Sequence, residues 1–208
     1  MLTAAQTLAF LATAVMVTAT PGPDNLMVLS MGMTRGRRAG MAFGLGCALG
    51  CLSHTLLAVI GVSALVAASP VAFTALKVAG GAYLLWMGVQ AWRHAGTVRV
   101  GGEAVAQAPL RQLFVKGLIA NAINPKVVLF FLSFLPQFVV ASQGQVEWQL
   151  GLLGVLFTAQ AAVLFSLLGY FSGGIGAWLN RGPNVGAWLD RLAGTVFLGL
   201  GVRMIASR

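Results

Sequence analysis

Two charged residues stand where charge is costly. Asp24 and Lys126 each follow a proline inside a long apolar run, in Pro23-Asp24-Asn25 and Asn124-Pro125-Lys126. An ionised side chain within a bilayer costs about 2.5–3.5 kcal/mol on insertion scales, so each needs a partner or a wet cavity. Being opposite in sign, they can neutralise each other or bracket a zwitterion. Lys126 would then take a carboxylate, and Asp24 an amino group or a proton. The alternative places both at the membrane interface, snorkelling to water. Within the predicted spans the only acidic residue besides Asp24 is Asp190, at the very start of the last, which makes Asp24 the first candidate for binding a cation or proton.

The prolines beside these charges have their own consequence. Proline in a helix removes one N–H and clashes with the carbonyl four residues earlier. Pro21 and Pro23, separated by Gly22, would free the carbonyls of Val17 and Ala19, and Pro125 that of Asn121. Exposed backbone at membrane depth is tolerated only where protein or a water-filled cavity satisfies it. Asn124-Pro125 reads as an N-cap followed by a first helical residue, so a half-helix restarts there. Its N-terminus would present N–H groups and partial positive charge, a setting that suits a carboxylate.

Other polar residues fall inside apolar segments. Asn25, Asn121 and Asn124 would position a polar solute, or Asn25 and Asn121 merely bridge helices. His54 and Gln160 lie near the centres of their spans and should face the interior, His54 as a proton relay or as a satisfied packing residue, Gln160 as cavity lining. Cys47, Cys51 and His54 are spaced i, i+4, i+7, one helix face that would form half of a soft-metal site. The same span carries Gly40, Gly44, Gly46 and Gly50, so close helix packing with cysteine as a small apolar residue is the competing reading. No metal and no cofactor is expected. Phosphate-binding, nucleophile-elbow, zinc-protease and dinucleotide motifs are absent from the sequence, and with them any residue-level case for an enzyme.

The elements that must position these residues follow from composition. Hydrophobic residues make up 58% of the 208-residue chain and charged residues 8%, and the mean hydropathy is +0.88. Soluble domains carry about 25% charged residues, so the solvent for most of this chain is lipid. The net charge of +9 does not signal nucleic acid, because the basic residues lie in short gaps between apolar runs and form no single basic face. Six spans are predicted, at 3–33, 41–66, 71–92, 114–139, 149–172 and 188–206, the first broken at Pro21-Gly22-Pro23. The loops between spans 1–2, 3–4 and 5–6 and their flanks hold Arg35, Arg37, Arg38, Arg93, Arg99, Arg111, Lys116, Arg181 and Arg191, against Lys77, Arg203 and Arg208 on the other side. The positive-inside rule then puts these loops, including the 93–113 linker, in the cytoplasm and both termini outside. A first segment that fails to cross would place the N-terminus inside.

The chain also repeats itself. Pro23-Asp24-Asn25-Leu26-Met27-Val28-Leu29 is echoed by Pro125-Lys126-Val127-Val128-Leu129-Phe130-Phe131, and Leu76-Lys77-Val78-Ala79-Gly80 by Asp190-Arg191-Leu192-Ala193-Gly194. With three spans per half, the second half is inverted in the membrane, the architecture of transporters that bind solute where the halves meet. The expected fold is therefore all-α and polytopic: one transmembrane domain, residues 1–208, with halves at about 1–92 and 114–208 and broken helices 1 and 4.

The segments Thr20-Pro21-Gly22-Pro23-Asp24-Asn25 and Asn121-Ala122-Ile123-Asn124-Pro125-Lys126 resemble the LysE/RhtB family of bacterial amino-acid exporters. The similarity extends through Gly-Arg-Arg-Ala-Gly at 36–40 and Ala-Gly-Gly-Ala-Tyr-Leu at 79–84. It implies a multi-pass exporter of amino acids or close derivatives in the bacterial inner membrane, driven by the proton gradient. The partners it implies are a small-molecule amino acid, protons and the lipid bilayer; no nucleic acid is among them, and a homo-oligomer is left open. Two rivals are a membrane redox or soft-metal transport protein using Cys47, Cys51 and His54, and a non-transporting membrane scaffold.

Overall fold

The computed structural model describes residues 2–62, 64, 69–96, 108–179 and 183–206, and among them every regular element is helical. The first span is two helices, α1 (Ala4–Ala19) and α2 (Pro23–Arg35), bent by 58° at the Pro21-Gly22-Pro23 break. Helix α1 starts from a capping box in which Thr3 and Gln6 exchange side chain-to-backbone hydrogen bonds. After α2 the chain reverses at Gly36, whose φ of +88° is open only to a residue without a Cβ, and enters α3 (Arg37–Leu57). Helix α3 runs on through a wider π-type turn at Ala58–Val62.

Helix α4 (Pro70–Arg93) is started by Ser69 as N-cap and Pro70 as first residue. The fourth span is again broken. Helix α5 (Leu110–Ala122) and α6 (Pro125–Leu129), with α6 prolonged by tighter and wider turns to Phe138, meet at 51°. Helix α7 (Val146–Tyr170), a short α8 (Ser172–Leu179) and α9 (Pro183–Ala206) complete the chain. Among the described residues four helices are long and apolar enough to cross a membrane, and the number is six with each bent pair taken as one broken span.

The predicted spans differ from these elements at their ends. Span 2 starts at Arg37 rather than residue 41, because the Gly36 turn lets the helix begin among the arginines. Span 4 starts at Leu110 rather than residue 114, so Arg111 lies on its first turn instead of in the loop. Helix α8 was not predicted as an element of its own. Of the 93–113 linker, residues 97–107 lie outside the described residues.

Helix α3 is the centre of the packing, lying against α2, α5 and α7, while α4 pairs with α9. Glycine makes the α3–α5 approach possible. A Cβ on Gly46 would come within 2.0 Å of the Phe114 carbonyl, and one on Gly117 within 2.1 Å of the Phe43 carbonyl. The small-residue reading of span 2 thus describes two backbones in direct contact. Around this seam the core is aromatic: Phe10, Phe130, Phe131, Phe134 and Phe157 are all buried, in ring pairs such as Phe131–Phe157 at 5.0 Å.

Candidate functional site

The two helix breaks face each other across the interior. Asp24, on the first turn of α2, and Lys126, on the first turn of α6, are 6% exposed each, although the protein is otherwise poor in charge. Both line one internal cavity, together with Thr18, Gly22, Asn25, Asn121, Asn124 and Cys51 and an apolar side of Val17, Val127, Phe157 and Phe165. The free space is about 20 Å³, room for roughly one water molecule.

Neither charge is paired with the other. Asp24 Oδ2 accepts a hydrogen bond from Asn121 Nδ2 at 2.7 Å, and Lys126 Nζ donates to the Thr20 carbonyl at 3.0 Å. No ion pair joins the two among the described residues. The ammonium also sits 5.4 Å from the centre of the Phe197 ring, a cation–π contact that helps hold a desolvated lysine. An ammonium has three donors, so the Thr20 bond leaves two. Gly22 lies so near that a Cβ there would be 3.3 Å from Lys126 Nζ.

The freed carbonyls have found donors, and on the α1 side they are not those expected. Helix α1 ends at Ala19, so the carbonyls that receive side chains are Thr18, bonded by Asn25 Nδ2 at 2.9 Å, and Thr20, bonded by Lys126. At the second break the carbonyl is that of Asn121, as the proline rule requires. It accepts from the Asn124 N–H at 2.9 Å and from His54 Nε2 at 3.0 Å. Asn124 caps α6, its Oδ1 taking the Lys126 N–H at 3.1 Å, while the N–H groups of Val127 and Val128 close onto the Asn124 carbonyl. The start of α6 therefore has no vacant N–H for a carboxylate, and the Lys126 ammonium is the cationic group that remains.

His54 stands behind this site and not in its lining. Bonded to a carbonyl, Nε2 must carry the proton, and the buried Nδ1 has no hydrogen-bond partner. Pro21, Pro23 and Pro125 shape the breaks without lining the cavity. Gln160 reaches it through one intermediary: its Nε2 donates to Thr18 Oγ1 at 2.8 Å, and its buried Oε1 has no partner. Cys51 enters the site as a hydrogen-bonding thiol, Sγ donating to Asn121 Oδ1 at 3.4 Å, and Cys47 is wholly buried. Both thiols are free, and no group of three His, Cys, Asp or Glu among the described residues is placed to hold a metal ion. Thr18, Phe157, Phe165 and Phe197 were not singled out from the sequence, being ordinary residues of apolar helices whose role comes only from where α1, α7 and α9 pack.

Comparison with known proteins agrees with this architecture. A family model described as LysE type translocator matches residues 15–208. The chain is 32% identical over 205 residues to an uncharacterized membrane protein of Vibrio cholerae serotype O1, with 97% of each chain covered. It is 30% identical over 200 residues to a homoserine/homoserine lactone efflux protein of Salmonella typhimurium, covering 96% of each, and 31% identical over 194 residues to a threonine efflux protein of Escherichia coli K12, covering 90% of this chain and 91% of that one. No solved structure matches the chain. With its six apolar spans and a match running almost from end to end, the protein belongs to the LysE type translocator family, and it is a membrane transporter rather than an enzyme.

Proposed function

We propose that the protein exports small neutral amino acids across the bacterial inner membrane in exchange for protons. The observation that carries this reading is the presence of two opposite, buried and mutually unpaired charges on the wall of one cavity. Lys126 takes the substrate carboxylate with its two remaining donors. Asp24 takes the ammonium through Oδ1, with Asn121 holding Oδ2, and Asn25 and Asn124 fix the two breaks around the ligand. Because the Asp24 carboxylate accepts either the substrate ammonium or a proton, the two ligands exclude each other, which is the requirement for antiport.

At about 20 Å³ the cavity is too small for any amino acid, so the conformation described is contracted and the halves separate to load and release. An inverted-repeat arrangement of residues 1–92 and 114–208 supports such rocking. Elements equivalent under the repeat pack on each other: α3 on α7, α4 on α9, and the α1–α2 break against the α5–α6 break through Asn121–Asp24 and Lys126–Thr20. The relatives named for homoserine and threonine efflux direct attention to the substrate side chain. Thr18 and the half-satisfied amide of Gln160 lie beside the cavity as the partners a hydroxyl would use.

Proteoliposomes loaded with labelled threonine, homoserine, leucine or lysine and given an acid exterior test the proposal. Gradient-driven efflux of the neutral hydroxy amino acids is expected, lost in Asp24→Asn. Unchanged gradient-driven efflux in that variant would refute the coupling role of Asp24.

A further inference from the structure

Away from the central cavity, where α3 begins and α7 gives way to α8, the surface holds an open groove of about 700 Å³. Its one charged wall is Arg37, whose guanidinium lies 4.9 Å over the Tyr170 ring. Tyr170 meets Phe171 edge to face at 4.9 Å, and the two aromatics are 45% and 54% exposed. The floor is Gly173 and Gly174, where an added Cβ would meet nothing within 4 Å. Ser172 does not take part, being buried with its hydroxyl bonded to the Gly169 carbonyl at 2.9 Å.

Among the described residues no carboxylate pairs with this cation. Of the four acidic residues, Asp24 is in the central site, Glu147 is on the first turn of α7 at its opposite end, Asp190 accepts from the Gly96 N–H, and Glu103 lies outside the described residues. Arg37 is exposed, stacked on an aromatic, and flanked in sequence by Arg35 and Arg38 on the side that the positive-inside rule assigns to the cytoplasm. A guanidinium held by stacking keeps its forked N–H edge for a phosphate. The surrounding aromatic and apolar walls, including Ile175, favour a ligand whose charged head continues into hydrocarbon.

We infer that this groove seats the phosphodiester headgroup of an anionic phospholipid from the cytoplasmic leaflet, with Arg37 on the phosphate and the acyl chains against Tyr170 and Phe171. Such a lipid would tie the end of α7 to the start of α3.

Native mass spectrometry of the detergent-purified protein, titrated with equal amounts of phosphatidylglycerol and phosphatidylcholine, tests this assignment. Wild type should prefer phosphatidylglycerol by about fivefold, the worth of one basic side chain near an anionic surface. Arg37→Lys should retain part of that preference, and Arg37→Ala should abolish it. Gly174→Glu, which adds a carboxylate at a position where a Cβ meets nothing within 4 Å, should abolish it independently, while Gly174→Ala should not. A preference that survives both Arg37→Ala and Gly174→Glu overturns the inference. Displacement of bound phosphatidylglycerol by millimolar inorganic phosphate also overturns it, by showing that the groove reads a free anion.

Discussion

Asn121, at the end of α5, reaches across to Asp24 at the start of α2 and donates a 2.7 Å hydrogen bond to its carboxylate. The same residue accepts from His54 Nε2 on its carbonyl and from Cys51 on its side-chain oxygen. One asparagine thus connects both helix breaks and the central helix α3. Gly50 makes room for it, since a Cβ there would lie 2.8 Å from Asn121 Cβ.

Removing this connection should cost both stability and transport. Asn121→Ala leaves a buried carboxylate without its donor, a loss of about 1–3 kcal/mol. Thermal unfolding in detergent should show a lowered midpoint, and reconstituted flux should fall with it. Asn121→Asp, which sets a second carboxylate against the first, should be worse than alanine on both measures.

The backbone contact between α3 and α5 predicts a sharp contrast among glycines. Gly46→Val or Gly117→Val would drive the helices apart and destabilise by about 1–3 kcal/mol or more. Gly199→Ala, at a position where a Cβ meets nothing within 4 Å, should be neutral or slightly stabilising. Yield of monodisperse protein and unfolding temperature measure both.

The cysteines should be dispensable for transport. Cys47 and Cys51 are buried and free, and serine at position 51 preserves a donor to Asn121. The double Cys→Ser variant should keep most of its flux in proteoliposomes, whereas a thiol or soft-metal mechanism requires its loss. Maleimide labelling of the wild type should be slow until denaturant opens the core.

Side-chain selectivity should reside at Thr18 and Gln160. Thr18→Val keeps the volume and removes the hydroxyl, so discrimination between threonine and 2-aminobutyrate should fall by about tenfold, the worth of one hydrogen bond. Competition against labelled threonine reads this ratio directly.

Much of this was legible in the residues because the strongest constraints are local. A proline within an apolar run dictates a break, and the pairs Pro23-Asp24 and Pro125-Lys126 therefore located both bends and the two buried charges. Glycine spacing in span 2 announced close packing for the same reason. The rest depends on how helices register against one another, which no local pattern contains. The carbonyls of Thr18 and Thr20, rather than Val17 and Ala19, receive donors because α1 ends at Ala19. His54 lies behind Asn121 because, nearly one turn beyond the cavity-lining Cys51, its ring is held on the Asn121 carbonyl. The expected helix-terminus site for a carboxylate is filled by Asn124 and by the tight turn after Pro125, and this too follows from local geometry finer than sequence spacing.

In the proposed mechanism Lys126 and Asp24 hold opposite ends of one amino acid, and the Lys126 half can be read in a single binding measurement. Equilibrium binding of threonine and of its methyl ester would be compared in wild type and Lys126→Met. Wild type should bind the free carboxylate at least about tenfold more tightly than the ester, in line with a charged hydrogen bond to a buried ammonium, and the variant should bind the two alike. A preference for threonine that persists undiminished in Lys126→Met would contradict the account.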